Sequence, residues 1–307
     1  MMFSKILKAI CKPKLIALYI LNFKMFRLLP DDIFLRIKYR LIMGKPLDLK
    51  KPKTFNEKLQ WLKLYDRKPE YTKLVDKYEV RKYIAETIGE QYLIPLLGVY
   101  DSFDDIDFDT LPNQFVLKPN HTSGNVFICK DKLKIDFNKL RKKVNKWLKR
   151  EYYWLHREWP YKNVKPRIIC EELLQTNDGR LPNDYKFHCF NGEPDNVMVC
   201  IERDTGNPKF YFFDKRWTLL RYNIRGVNTP RGFSLEKPKQ IDKMFEIAKE
   251  LSRGFPFVRI DLYNENERVY FGEFTFFPQS GFDTNLTSEA DLILGNKIKL
   301  KRDYYDI

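Results

Sequence analysis

A chain of 307 residues with 43 % apolar and 15 % aromatic side chains can bury a large core, which excludes a disordered polymer and leaves room for two or three subdomains. Lys and Arg outnumber Asp and Glu by 56 to 41, giving a formal charge of +15 that attracts polyanions without choosing among nucleotide phosphates, acidic glycans, anionic lipid and nucleic acid. Five scattered cysteines (Cys11, Cys129, Cys170, Cys189, Cys200) and three dispersed histidines (His121, His156, His188) argue against a disulfide framework, a structural zinc site and a histidine metal triad, and fit a reducing cytosol.

Residues 1–30 carry Lys5, Lys8, Lys12, Lys14, Lys24 and Arg27 and no acidic side chain. The apolar run Leu15–Phe23 is interrupted by Asn22 and is too short to span a bilayer. No small-residue cleavage site follows it, so a signal peptide is not expected. Two readings stay open: a basic amphipathic helix on an anionic membrane surface, or a structural helix of an N-terminal domain.

Thr54 with Glu57 forms a capping box ahead of Leu59, Leu62 and Tyr65, which predicts a helix. A second helix is predicted from Tyr71 through Leu74, Val75, Tyr78 and Ile84 to Gly89. The acidic loop "YDSFDDIDFDTLPN" follows. Strands are predicted over Phe115–Lys118, Val126–Lys130, Arg167–Leu173, Asp184–Phe190, Asn196–Arg203 and Phe210–Asp214. A final pair, Phe257–Tyr263 and Val269–Phe276, is joined by the polar turn "NENE". Two helices interrupt them, one carrying Phe137, Leu140, Val144, Trp147 and Leu148, the other Ile241, Met244, Phe245, Ala248 and Leu251. The fold class is α+β with mixed or antiparallel sheets. The Lys139–Arg150 face reads as a solvated helix side. It lacks the interleaved aromatics of a single-strand platform, so no nucleic acid is expected as a partner.

Two stretches carry chemistry. "FVLKPNHTSGN" delivers Lys118 along a strand to a Ser-Gly turn, where a compact cation and free backbone amides can hold a polyphosphate. "FPFVRIDLYNENERVYFGEFTFFPQSG" sets Arg259 and Asp261 on one face of a strand, and Glu273 and Thr275 on one face of the next. Adjacent carboxylates repel unless a cation lies between them, and Mg²⁺ takes one or two carboxylates together with phosphate oxygens. Singly, Asp261 could cap the turn, Glu273 could pair with Arg259, and Thr275 could be an ordinary strand residue.

The order of these motifs, with "KPKTFNEKLQWLKLYDRKPEYTKLVDKYEVRKYI", "DYKFHCFNGEP" and "GEFTFFPQSGF", resembles the ATP-grasp superfamily. More narrowly it resembles the TupA-like branch associated with bacterial surface-polysaccharide and teichuronopeptide synthesis, over most of residues 30–290. The resemblance implies a helical pre-grasp region over 1–110, a small ATP-grasp subdomain with the phosphate loop over 111–170, and a large subdomain with the metal site over 171–300. It implies Lys77 as the first nucleotide lysine and Lys118 as the second, on the α- and β-phosphates. The turn Asn120–Asn125, with His121, Ser123 and Gly124, would cover the phosphates. Glu171, Glu172 and Leu173 would form the adenine hinge, with one of the two glutamates on the exocyclic amine or ribose. Asp184 would be a ribose-side acid, with Lys186 also on the nucleotide. Asp261 and Glu273 would hold Mg²⁺, with Thr275 standing where the family often has Asn. Arg259 would face the developing charge of acyl transfer, with Lys118 as its catalytic companion.

The activity so implied is an ATP- and Mg²⁺-dependent carboxylate–amine ligase working through an acyl-phosphate. It would join an amino compound to an acidic sugar of a surface or capsular polysaccharide, in the cytoplasm or at the inner face of the membrane. A glycosyltransferase of the same polysaccharides, a phosphotransferase using the same cleft, and a non-catalytic basic membrane- or nucleic-acid-binding protein are the alternatives.

Overall fold

A computed structural model describes residues 13–300, so Cys11 and the lysines at 5, 8 and 12 lie outside the described residues. In chain order the α-helices are α1 (Pro13–Ile20), α2 (Asp31–Met43), α3 (Phe55–Tyr65), α4 (Glu70–Val75), α5 (Val80–Thr87), α6 (Phe137–Leu148), α7 (Tyr153–His156), α8 (Ile224–Val227), α9 (Ile241–Leu251) and α10 (Ser288–Lys297). The strands are β1 (Leu96–Tyr100), β2 (Phe115–Pro119), β3 (Phe127–Cys129), β4 (Ile168–Glu172), β5 (Asp184–Phe190), β6 (Glu193–Ile201), β7 (Lys209–Asp214), β8 (Leu219–Leu220), β9 (Phe257–Glu265) and β10 (Arg268–Thr275). The fold is α+β, and every ladder is antiparallel. No helix among the described residues is long and apolar enough to cross a membrane.

The chain forms two compact units. One joins the residues up to Arg67 with Tyr153–Trp159 and the stretch from Phe277 on. The other spans Lys68–Tyr152 and Pro160–Phe276. These boundaries differ from the expected cuts at 110 and 170.

In the first unit α3 starts at the capping box: the Thr54 hydroxyl accepts from the Glu57 amide at 3.3 Å, and Glu57 Oε2 accepts from the Thr54 amide at 3.0 Å. Polar side chains tie distant segments to this helix. The fully buried Lys63 donates to Gln60 Oε1 (3.0 Å), the His156 carbonyl (3.0 Å) and the Ser280 carbonyl (2.6 Å). An ammonium has three donors, and three acceptors meet them. Buried Arg157 lies over the Phe34 and Trp154 rings and pairs with Asp31 at 3.5 Å.

In the second unit the small sheet has strand order β1-β4-β2-β3 and the large sheet β10-β9-β5-β6-β7-β8. β1 lies in the stretch expected to be helical. Its short apolar run "LLGVY" does not alternate, and pairing with β4 decides its conformation. Leu140, Val144 and Trp147 of α6 cover the small sheet beside β2. Helix α9 covers one face of the large sheet. Phe187 meets Phe245 there, and Cys189 Sγ lies 3.7 Å from the Ala248 carbonyl. Strand alternation therefore sends Asp184, Lys186 and His188 of β5 to the opposite face, along with Arg259 and Asp261 of β9, whose neighbours Val258, Ile260 and Leu262 are wholly buried.

The single helix predicted from Tyr71 to Gly89 is broken. It ends at Val75 and restarts at Val80. Asp76 is extended (φ −73°, ψ 112°), and its Oδ1 accepts from the Tyr78 and Glu79 amides at 2.8 and 3.3 Å. The apolar spacing runs through the break, but the aspartate competes for the backbone and stops the first helix. Lys77 sits at the break.

Candidate active site

The polar face of the large sheet gathers six of the sequence-predicted residues on three neighbouring strands. In the ladders Asp261 stands opposite both Lys186 and Glu273, and Arg259 stands opposite Thr275. Arg259 grips Asp261 with both arms of its fork: Nε donates to Oδ1 at 2.6 Å and Nη2 to Oδ2 at 2.7 Å. The same Nη2 reaches Thr275 Oγ1 at 3.1 Å and Glu273 Oε1 at 3.5 Å. The Thr275 hydroxyl in turn donates to Glu273 Oε1 at 3.1 Å. From the other side Lys186 Nζ donates to Asp261 Oδ2 at 2.5 Å and to Asp184 Oδ2.

A pair of facing carboxylates needs a cation between them, and here the protein supplies one: Arg259 touches both. Asp261 is 2 % exposed. Burial alone would raise its pKa, but Arg259 and Lys186 outweigh that and hold it below the ordinary carboxylate value. Lys186 shows the converse: burial disfavours its charge, yet Asp184 and Asp261 raise its pKa. Asp184 is pushed upward by burial against the pull of Lys186, with Asp261 adding to the rise, and its Oδ1 is buried without a partner. The structure thus brings Asp184 to the ion-pair cluster through Lys186.

Glycine makes the carboxylate register possible. The β9–β10 ladder shifts between Phe271 and Glu273, with Gly272 as the extra residue. A Cβ on Gly272 would meet the Asp261 carbonyl at 2.9 Å, and that backbone atom cannot swing aside. Gly272→Ala is expected to cost about 1–3 kcal/mol and to offset Glu273 from Asp261. Thermal unfolding together with ATP affinity checks this: an alanine variant with wild-type values in both would show that the bulge tolerates a side chain.

The small sheet and the break between α4 and α5 supply a second group of cations. Lys118, on β2, pairs with Glu171 of β4 at 2.5 Å. Arg81 of α5 approaches the other oxygen of Glu171 at 3.3 Å and donates to the Ile94 carbonyl at 2.9 Å. Nothing in the sequence singled out Arg81. Glu171 is therefore turned toward Lys118 and Arg81, while Glu172 is exposed at the strand end and Leu173 half-buried after it.

The turn Asn120–Asn125 is clamped at its base. Asn120 donates to Asp76 Oδ1 and to the Lys165 carbonyl, both at 2.9 Å, and accepts from the Arg167 amide at 2.7 Å. Lys77 runs underneath, its Nζ donating to the Thr122 carbonyl at 2.6 Å. His121 and Thr122 are buried, while Ser123 and Gly124 are exposed at the tip. Gly124 has φ +76° and open space where a Cβ would be, so its conformation rather than room calls for glycine. Burial pushes the His121 pKa down to about 4 despite hydrogen bonds that oppose it, so a neutral imidazole sits there.

Lys77 links the two groups. Burial lowers its pKa, and Glu273 of the large sheet is the strongest opposing influence, with Lys118 and Glu171 of the small sheet also in electrostatic reach.

The donor set can be tested against Mg²⁺. Among the described residues no three or more His, Cys, Asp or Glu side chains cluster as a ready-made metal cage. Half-buried Glu273 keeps lone pairs open, while buried Asp261 beside it is already ion-paired to Arg259 and Lys186 and has at most one left. Asp261 receives three of the roughly four hydrogen bonds a carboxylate accepts, and half-buried Glu273 receives two at its Oε1. That fits a cation completed by phosphate oxygens and water.

A family model described as TupA-like ATP-grasp matches residues 57–299. No curated protein matches. Solved structures similar to the chain include D-alanine–D-alanine ligase from Bacillus anthracis complexed with ATP (14 % identity, TM-score 0.42, covering 66 % of this chain and 55 % of that one). The Helicobacter pylori D-alanine–D-alanine ligase is another (13 %, 0.42, 80 % and 69 %). A third is the ATP-grasp ligase PsnB with a phosphomimetic variant of its minimal precursor, Mg and ADP (12 %, 0.40, 79 % and 66 %). The chain thus spans 55 to 69 % of these proteins' lengths. With the family model covering well over half of its residues, the chain belongs to the TupA-like ATP-grasp family.

Proposed function

We propose that the protein is an ATP-dependent carboxylate–amine ligase that acts on an acidic sugar of a bacterial surface polysaccharide. The observation that carries this is the Arg259–Asp261–Glu273–Thr275 constellation on one sheet face, in electrostatic reach of Lys77 beneath a glycine-tipped turn.

In this reading Lys77, Lys118 and the amides of the Asn120–Asn125 turn hold the phosphates, with Lys186 completing the cradle. On arrival of ATP, Lys118 exchanges its pairing with Glu171 for a phosphate, and Arg81 keeps Glu171 neutralised. The hinge at Glu171–Leu173 offers backbone groups to adenine, and exposed Glu172 takes the exocyclic amine or ribose. Asp184 acts by holding Lys186. Asp261 and Glu273 would hold Mg²⁺, which neutralises charge on the transferring phosphoryl group. Thr275, whose hydroxyl is already shared between Arg259 and Glu273, orients that glutamate.

The substrate carboxylate oxygen attacks the γ-phosphorus, the bond to the β-phosphate oxygen breaks, and ADP leaves. The amine nitrogen then attacks the acyl carbon, phosphate departs with the C–O bond, and the amine proton goes to solvent. The protein needs no nucleophile. It needs fixed positive charge where oxyanion charge develops, and Arg259 provides it. Peripheral contact with an anionic membrane through the basic N-terminal segment would bring the enzyme to its glycan.

The test is ADP and phosphate release when uronic-acid sugars and amino compounds are offered together, with the product identified by mass. Amide formation is expected, and Lys118→Ala should bind ATP about 10- to 100-fold more weakly. Turnover that requires a sugar nucleotide would replace this reading with a glycosyltransferase, and a stable phosphorylated product without an amine would make the protein a phosphotransferase.

A further inference from the structure

We infer that α1, the turn after it and the outer face of α2 form a docking surface that inserts apolar side chains into an anionic bilayer. This deepens the membrane part of the reading above and is independent of the ligase chemistry. Nine of the sixteen large hydrophobic residues that the described chain leaves exposed fall between Leu15 and Ile37. Scattered exposed hydrophobics are ordinary, but this many within one short stretch make a patch. Leu28 is 90 % exposed, and Tyr19 and Met25 are each 69 % exposed. Helix α1 reads "PKLIALYI", nearly apolar all round, yet none of its side chains is buried. Such a helix ordinarily lies inside a core or in lipid, and eight residues in water are too few to sustain one.

The patch continues onto α2, beyond the basic N-terminal segment. That helix buries Phe34, Leu35, Lys38 and Tyr39 and turns Ile33, Arg36, Ile37 and Arg40 outward. Its outer stripe thus alternates apolar and cationic side chains. Lys14 and Lys24 are exposed in the α1 region, and between Pro13 and Pro30 there is no acidic residue. The first acid, Asp31, is turned to Arg67 at 2.7 Å and to the Tyr153 hydroxyl at 2.8 Å.

Charge decides the occupant. Pairing this face with a second copy would set Lys14, Lys24, Arg36 and Arg40 of both copies against one another. An anionic lipid surface satisfies the same cations while its acyl region takes Leu28, Met25 and Tyr19.

Flotation of the full-length protein with vesicles of phosphatidylcholine, alone or mixed with phosphatidylglycerol, tests this without any nucleotide. Binding is expected to the mixed vesicles only. Met25→Glu/Leu28→Glu should bind at least about tenfold more weakly, and so should Lys14→Glu/Lys24→Glu, with melting curves unchanged. The inference fails if wild-type protein ignores the mixed vesicles, or if the Met25→Glu/Leu28→Glu protein floats like wild type. It also fails if wild-type protein self-associates in light scattering and that variant turns monomeric. None of these outcomes touches the ligase reading, which amide formation decides.

Discussion

Asp261→Asn and Glu273→Gln should both abolish ATP turnover, but only the first should also weaken the fold. Two like charges side by side suggest that removing either relieves repulsion, and the sequence alone leads to that expectation for both. The contacts reverse it for Asp261. Its carboxylate is wholly buried and holds two cations, Arg259 and Lys186. Asparagine cannot balance them, and an uncompensated buried charge costs on the order of 3 kcal/mol. Glu273 is more open, with a side chain 29 % exposed and its Arg259 contact at 3.5 Å, so glutamine there should change stability little. The pH dependence has a matching sign. The folded pKa of Asp261 is depressed, so its stabilisation is present above the unfolded carboxylate value of about 3.9 and is lost as pH falls through the lower folded value. Asp261→Asn should therefore flatten the acid limb of the stability curve. Urea unfolding across the acid range, set beside phosphate release, measures both effects. Equal stability in the two variants would mean that Arg259 and Lys186 do not depend on Asp261 for their compensation.

Much of this architecture was legible in the residues, for identifiable physical reasons. Alternation holds over the short segments that carry the site, so Asp261 and Arg259 had to share a face, as did Glu273 and Thr275, which follow the Gly272 bulge. The capping box of Thr54 and Glu57 is local chemistry and fixed the start of α3 without tertiary help. Three features stayed hidden because they depend on contacts far apart in sequence. The α4–α5 break lies inside an apolar spacing that continues through it; Asp76 Oδ1 takes the Tyr78 and Glu79 amides locally, and the clamp from Asn120, forty-four residues on, holds that same oxygen in place. Arg81 reads as a solvent-facing helical arginine until β4 brings Glu171 to it. Gly272 sits in an otherwise regular strand, and its need becomes visible only against the Asp261 carbonyl of the partner strand. The carboxylate pair and a Glu273–Arg259 pairing were visible, but not the bidentate grip of Arg259 on Asp261 or the added Lys186 contact, because alternation gives faces and not the reach of a side chain.

Lys77→Met should weaken ATP binding by roughly 10- to 100-fold, the value of one or two charge-assisted hydrogen bonds to phosphate. Lys77 lies under the Asn120–Asn125 turn and feels Glu273, Lys118 and Glu171 together, so a polyphosphate reaching from the turn toward the carboxylates passes this side chain. Methionine keeps the length of the stem and removes the charge. Burial also lowers the Lys77 pKa, with Glu273 opposing, so the amine loses its proton at a lower pH than an exposed lysine does. Only the ammonium holds phosphate well. Wild-type ATP affinity should therefore decline as pH rises toward the ordinary lysine value of about 10.4, and Lys77→Met should lack that decline. Folding stability carries the opposite sign: the unfolded chain binds the proton more tightly, so this group's penalty is largest at low pH and is relieved as pH rises between the folded and unfolded values. Calorimetric titration of ATP and Mg²⁺ over the alkaline range separates the two effects. Unchanged affinity in Lys77→Met at neutral pH would take this lysine out of the nucleotide site and leave its bond to Thr122 as a purely structural tie.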